Sequence, residues 1–478
     1  METTTKPKFA LVTLGCEKNR IDSEGMGQML RGAGYEPTAS TTEASVLIVN
    51  TCGFLEAARQ EAIDTLNQLA ATKRDDQLLI ASGCMVELYP ERISSGVTVL
   101  DGQLSARNWP DIAKLTATLG QQRGLPLTLF PAPPQIELNA ALTEQCPTAP
   151  ASYADPQLTG FARQASGGSA FVKIAEGCDA KCSFCIIPQI RGGHISKPLP
   201  QIIAEVKELA AQGVKEIIYI SQDSTYYGLD LGIRDGLAGL LEETVQQVPE
   251  IEWIRIMYAY PARMTPRLIQ TMAALPQVCK YVDMPLQHGS EAVLRRMRRP
   301  PNMERVRRVL TSMREAMPDL TLRTTFIVGF PGETNAEFDE LLGFINEGWF
   351  DHVGVFTYSP EEKSESFNLE GHLHPRVKEK RRNLAMAAQQ RISLKRNQAL
   401  VGRMMRVLIE GEGELEDERG SRIGEKIYVA RSYREAPEVD GYIFVQPRKH
   451  TPLTVGQMLD VRISRAEEYD LWAKPVVS

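Results

Sequence analysis

Between Gly177 and Gly192 the chain reads Gly-Cys-Asp-Ala-Lys-Cys-Ser-Phe-Cys-Ile-Ile-Pro-Gln-Ile-Arg-Gly, with Cys178, Cys182 and Cys185 in the spacing CxxxCxxC. No other stretch constrains the fold as much, because three thiolates serve one centre only if a loop presents them together. Soft sulfur ligands select zinc or iron-sulfur clusters over hard cations. Structural zinc wants a fourth ligand, and His194 is the nearby candidate. Three thiolates on a four-iron cluster instead leave one iron free for a small molecule. The spacing favours the cluster, as does Phe184 before the last cysteine, with zinc or a redox site as alternatives.

A chain of 478 residues exceeds one ordinary domain, and its 43% hydrophobic and 24% charged residues are ordinary for globular proteins. Residues 1–8 are polar and the apolar run 9–14 is too short for a signal or a membrane span, which predicts a cytoplasmic location without membrane attachment. In a reducing compartment the eight cysteines are thiols or metal ligands rather than disulfides. A net charge of −6 argues against a chain that is basic all over and against direct nucleic-acid binding.

The expected architecture is α/β, followed by a small β-barrel. Residues 8–130 alternate apolar runs with helical stretches, as in a doubly wound parallel sheet domain. Three of the runs end alike: 9–15 leads into Cys16, 45–51 into Cys52 and 78–83 into Cys84. Helices are expected at 23–32 and 54–71. Parallel strands would put all three cysteines beyond carboxyl ends, the edge where open α/β sheets bind ligands. One cysteine there is ordinarily a small buried residue; three in equivalent places argue for a shared role. Cys146 and Cys279 fit no such pattern and read as structural.

Residues 131–168 are rich in Pro, Ala, Ser, Thr and Gln without a period and read as a linker. From 169 to 396 strand candidates at 171–174, 216–221, 253–257, 281–284, 322–328 and 352–356 alternate with helices such as 202–212 and 335–347, which predicts a partial or full (β/α) barrel with its site at the carboxyl ends. A charged helix at 376–400 leads out of it. Residues 397–470 hold strand-like runs at 404–410, 426–432, 441–446 and 458–464, a small β-barrel.

Cys178, Cys182 and Cys185, with Phe184 among them, resemble the signature of radical S-adenosylmethionine enzymes, in which the open iron chelates the cofactor and an electron cleaves it to a 5′-deoxyadenosyl radical. The runs Leu14-Gly-Cys-Glu-Lys-Asn, Asn50-Thr-Cys-Gly-Phe and Ser82-Gly-Cys resemble the amino-terminal domain of the methylthiotransferases, a branch of that superfamily. The resemblance implies two 4Fe-4S clusters, one on Cys178, Cys182 and Cys185, the other on Cys16, Cys52 and Cys84. It also implies that one S-adenosylmethionine methylates sulfur at the amino-terminal cluster while a second yields the radical, the two clusters facing a common cavity. The run Thr325-Phe-Ile-Val-Gly-Phe-Pro-Gly-Glu resembles the strand that supports the adenine, which puts Phe184, Gly329 and Gly332 at the cofactor; read alone, it is a strand ending in a turn.

Of the two main branches, this chain resembles the one that modifies an aspartate β-carbon of small-ribosomal-subunit protein 12 rather than a tRNA adenosine. The residues that carry this are Cys52-Gly-Phe, Glu176-Gly-Cys-Asp, Ser221-Gln-Asp-Ser-Thr-Tyr-Tyr-Gly, Asp283-Met-Pro-Leu-Gln-His-Gly-Ser and Ser359-Pro-Glu-Glu. The tRNA branch is expected to carry Asn at 179 and no histidine at 288. Lys363-Ser departs from the family's Gly-Thr. The last barrel resembles a TRAM domain, yet residues 401–478 carry twelve Lys and Arg against fourteen Asp and Glu, with Glu412, Glu414, Glu416, Asp417 and Glu418 expected in one loop. Acidic loops suit a basic protein partner better than RNA, or serve as a solubilising turn. The arginines at 295, 296, 298, 299, 305, 307 and 308 read as a solvated helix face, with RNA or phosphate as the alternative. The remaining readings are a tRNA adenosine methylthiotransferase and a non-catalytic iron-sulfur protein that binds ribosomes. An external electron donor and sulfur source are expected; the substrate-contacting residues are not legible.

Overall fold

Alternation of apolar residues along the first strands already divides them between two faces. In the computed structural model, which describes residues 6–126, 128–131, 163, 167–416, 422–447 and 452–476, these strands are β1 (Lys8–Thr13), β2 (Glu36–Pro37), β3 (Val46–Thr51), β4 (Leu78–Gly83) and β5 (Gly102–Ser105). They pair in parallel in the order β2-β1-β3-β4-β5. Leu47, Val49, Leu79 and Ala81 pack on one face with Ala62 and Leu66; Val46, Ile48, Leu78 and Ile80 pack on the other with Met26, Leu30 and Trp109. Both central strands are buried throughout, as a parallel sheet covered on both sides requires.

The chain divides into two compact units. The first holds Met1–Gln164, Ala175–Asp179 and Cys185–Glu205; the second holds Ala165–Ile174, Ala180–Phe184 and Val206–Ser478. The cysteine-rich loop is thus shared, with Cys178 and Cys185 in the first unit and Cys182 in the second. Within the first unit β7 (Ala175–Glu176) and β8 (Ile195–Ser196) form a short antiparallel pair, after β6 (Ser169–Lys173) of the second. Residues 132–162 and 164–166, most of the expected linker, lie outside the described residues, as does Cys146.

In the second unit β6, β9 (Glu216–Ile220) and β10 (Trp253–Ile256) form one parallel sheet, and β11 (Tyr281–Asp283), β12 (Thr321–Val328) and β13 (His352–Thr357) another. The Ile254–Val278 bridge and the bond from Cys279 N to Ile254 O, 2.9 Å, join the two. The six strands follow one another in chain order as a partial barrel. A 24-residue helix, Pro375–Gln398, leads to a closed barrel in the order β14-β15-β16-β18-β17, with β14 Met404–Glu416, β15 Arg422–Arg431, β16 Ile443–Val445, β17 Met458–Ala466 and β18 Leu471–Pro475. The closing strand β18 was not expected: its five residues, Leu-Trp-Ala-Lys-Pro, bury only Leu471 and Ala473 and are too few to show a period.

Two surface expectations change. Glu412, Glu414 and Glu416 lie on strand β14 rather than in a loop, and Lys426 on the paired strand takes up Glu412; Asp417 and Glu418 are outside the described residues. Most of the arginine cluster is neutralised locally, by Arg295–Glu291 at 3.2 Å, Arg296–Glu337 at 2.8 Å, Arg298–Glu365 at 2.6 Å and Arg307–Glu347 at 2.5 Å. Arg299 departs from a solvated face, being only 8% exposed. Among the described residues no helix is long and apolar enough to cross a membrane.

One buried ion network holds the second unit. Glu216 at the start of β9 accepts from Arg255 of β10 at 2.7 Å and from Arg431 of β15 at 2.6 Å, all fully buried. Burial pushes the Glu216 carboxyl up, but Arg431 and Arg255 outweigh it and hold it below the usual carboxylate range. The stability tied to that ionisation is present above the unfolded value of about 4.3 and is lost as pH falls through the lower folded value. Glu216→Ala leaves two buried guanidinium groups without this partner and is expected to destabilise the second unit by about 3–5 kcal/mol, read from urea unfolding.

Candidate metal centres and cofactor site

Cys16, Cys52 and Cys84 follow β1, β3 and β4, three adjacent strands, so parallel pairing brings residues far apart in sequence to one carboxyl edge. Three glycines let the turns approach. A Cβ on Gly15 would stand 2.8 Å from the Cys52 Cβ, and one on Gly53 would stand 2.8 Å from the Cys84 carbonyl oxygen; Gly83, at φ +100°, is crowded by Asn50 and Thr51. Helix Glu17–Gly32 starts earlier than the apolar period suggests, because its first turns bury polar Lys18, Asn19, Asp22 and Ser23 and take Cys16 as their N-cap.

Asn19 ties the three turns together. Its amide donates to Leu14 O at 3.0 Å and Thr51 O at 3.1 Å, while its Oδ1 accepts from the Cys84 thiol at 3.4 Å. Asn50 returns a bond to Asn19 O at 2.8 Å. Burial pushes the Cys52 thiol up to about 11, a backbone bond from Phe54 works against it, and Cys84 and Cys16 add to the rise. Burial also raises the Cys84 thiol, opposed by the charge of Arg191. The three thiols are thus within electrostatic reach of one another. Among the described residues no three Cys, His, Asp or Glu side chains are gathered tightly enough for a single metal ion.

The CxxxCxxC loop is anchored in each unit separately. In the first, Gly177 at φ +78° has no room for a side chain against Gly193 O, and Cys178 N donates to Gly192 O at 3.1 Å. Asp179, one of the residues that separates the two branches, accepts from His194 N at 3.0 Å and so closes the loop's exit. His194, the zinc alternative, has its Nε2 3.3 Å from Ser196 Oγ. Ile186 and Ile190 are buried in the core under the β3–β4 face. In the second unit Ser183 bonds Met297 O at 3.0 Å and Arg296 O at 2.8 Å and accepts from Ser366 N at 2.8 Å. Phe184 packs on Val293, Met297, Phe330 and Tyr358. Arg299 Nη1 lies 3.9 Å from Cys182 Sγ, its plane over the Tyr260 ring at 4.2 Å.

Beyond β12, Glu333 Oε2 accepts from Gly329 N at 2.6 Å and Phe330 N at 3.1 Å, with Arg381 on its other oxygen at 2.7 Å. Gly329 and Gly332 both have positive φ, and Lys378 fills the space beside Gly329. His288, buried, accepts from Ser290 N at 2.9 Å. At the ends of β10 and β11, Tyr258 and Gln287 hold φ of 63° and 77°, a strain of about 1–3 kcal/mol each that side chains accept chiefly at functional sites.

Three family models match parts of the chain. Residues 8–104 match an uncharacterized protein family, UPF0004; 172–345 match the radical SAM superfamily; 401–476 match the TRAM domain. The ribosomal protein uS12 methylthiotransferase RimO of Chloroflexus aurantiacus is 45% identical over 98% of this chain and 99% of its own length, and that of Herpetosiphon aurantiacus is 45% identical over 98% and 100%. The chain belongs to the uS12 methylthiotransferase family. It is therefore a radical SAM enzyme whose cofactors are 4Fe-4S clusters and S-adenosylmethionine. Among solved structures, the radical S-adenosylmethionine methyltransferase TsrM of Kitasatospora setae, with cobalamin and a [4Fe-4S] cluster bound, superposes at TM-score 0.53 with 15% identity over 74% of this chain and 75% of its own, a likeness of fold.

Cys16, Cys52 and Cys84 stand at the carboxyl edge of the first unit's sheet. Sequence reasoning gave no role to Asn19 or Arg191, whose signal lay only in sitting close to cysteine motifs, Asn19 within Leu14-Gly-Cys-Glu-Lys-Asn and Arg191 six residues past Cys185, and it read Arg299 as part of a solvated helix face. Residues that hold cluster ligands from behind commonly cost about 10- to 100-fold in metal affinity when removed. In a chain whose Cys178, Cys182 and Cys185 are replaced by Ala, Asn19→Ala is expected to weaken retention of iron and sulfide by that factor with far-UV circular dichroism unchanged.

Proposed function

We infer that this enzyme attaches a methylthio group to the β-carbon of an aspartate in ribosomal protein uS12. The observation that carries the reading is near-end-to-end identity with uS12 methylthiotransferases in a chain that keeps both cysteine triads. Cys178, Cys182 and Cys185 would hold the cluster that serves S-adenosylmethionine, and Cys16, Cys52 and Cys84 would hold the second cluster. When bound, these groups would pass on an electron from an external donor, yield a 5′-deoxyadenosyl radical able to take hydrogen from an unactivated carbon, and hold the sulfur to be transferred.

The protein's own part is placement and exclusion of water. Phe184 and the Gly329–Gly332 turn serve the adenine side of the cofactor, and Glu333 keeps the amides of Gly329 and Phe330 from turning toward it. The glycine-lined turns let the segments that carry Cys52 and Cys84 approach closely, and because burial raises both thiols, it is cluster iron that would hold them deprotonated. The electron donor and sulfur source are external, and the location is cytoplasmic. The acidic balance of residues 401–478 favours a basic protein substrate over RNA, and the local ion pairs of the arginine cluster take away its value as a phosphate-binding face.

The deciding experiment is anaerobic reconstitution with a peptide spanning the substrate aspartate of uS12, followed by mass spectrometry for a methylthio increment. Cys182→Ala is expected to abolish 5′-deoxyadenosine formation. Cys52→Ala is expected to retain that cleavage while the methylthio product disappears. Identical defects in the two variants would break this division of labour.

A further inference from the structure

Arg191 ends the short helix Ile187–Arg191, six residues past Cys185, and its side chain turns toward the other cysteine triad. It is 7% exposed. Nη1 donates to Asp22 Oδ2 at 2.7 Å and lies 3.4 Å from Glu176 Oε1. Nη2 donates to Asn19 Oδ1 at 2.8 Å and stands 3.4 Å from Cys84 Sγ. Two carboxylates on Nη1 already neutralise the buried cation, so charge balance does not explain where Nη2 points. A guanidinium is a rigid planar fork. With Nη1 clamped by Asp22, the other arm has one direction left, toward Asn19 Oδ1 and the Cys84 sulfur that Asn19 also holds. Helix Ile187–Arg191 is itself held from outside, since Arg107 donates to Ile190 O at 3.0 Å and Gln189 O at 2.8 Å.

Hydrogen bonds to ligand sulfur, and positive charge beside it, favour the more negative, reduced state of an iron-sulfur cluster and so raise its potential. We propose that Arg191 is a positioning residue that acts through Cys84 to set the reduction equilibrium of the cluster held by Cys16, Cys52 and Cys84. This rests on the reading that those three cysteines hold a cluster. The cluster itself changes only by one electron taken from an external reductant.

The test uses the full chain with Cys178→Ala, Cys182→Ala and Cys185→Ala, which leaves only the amino-terminal triad, reconstituted anaerobically and titrated with dithionite under electron paramagnetic resonance. Arg191→Met is expected to shift the reduction equilibrium toward the oxidised form by tenfold or more, 59 mV for one electron. Arg191→Lys, which keeps the charge and loses the fork, is expected to shift it by less. Loss of iron from Arg191→Met alone, with Arg191→Lys still loaded, also supports the proposal. An unchanged midpoint in fully loaded Arg191→Met overturns it, as does loss of iron from both Arg191 variants, which would make the side chain a strut of the cradle. A parent chain that binds no iron removes the cluster assignment beneath the proposal, an outcome separate from the other two.

Discussion

Three strand-to-helix turns must approach one another within van der Waals contact at the carboxyl edge of the first sheet, and the rest of that unit follows from this. Parallel pairing of β1, β3 and β4 brings Cys16, Cys52 and Cys84 to one edge, but pairing alone leaves ordinary side chains between them. Gly15, Gly53 and Gly83 remove those side chains, and Asn19 uses both ends of its amide to hold the turns that remain. This explains why a helix with weak apolar patterning starts where it does. Its first turns bury polar groups because those groups are the fastening: Asn19 and Ser23 find partners in neighbouring turns, and Asp22 pairs with Arg191.

A related principle operates in the second unit with charge in place of close approach. Glu216, Arg255 and Arg431 lie on three strands from two sheets, and each is fully buried. A buried ion network contributes little to stability relative to an apolar replacement but makes partial removal costly, so it specifies which strands meet. Arg299 shows the same economy: it bonds Pro285 O at 2.6 Å, stacks on Tyr260 and reaches Cys182, so one cation joins the end of β11 to the cysteine loop. Each cysteine motif has a guanidinium close to one of its sulfurs, Arg191 at Cys84 and Arg299 at Cys182. Cations beside sulfur suit thiolates, which would otherwise be expensive to bury.

The apolar periods in the sequence determined the order of strands and helices, because burial on one or two faces leaves a pattern that needs no knowledge of neighbours. The six strands of the partial barrel and the three cysteine-bearing strand ends were legible for that reason, whereas the cysteine spacing alone left a cluster, zinc and a redox site open, and the chemistry came from the resemblance of the motifs to a known family. Only the tertiary structure decided the pairing of charges. It matched Arg296 with Glu337 and Arg307 with Glu347, 41 and 40 residues apart, and put Glu412 on a strand instead of in a loop. It also decided that Asn19 and Arg191, unremarkable in their own segments, meet at Cys84. A polar side chain's partner is set by where the fold delivers a distant segment, and local sequence holds no record of that position, whereas an apolar side chain needs only to be turned away from water.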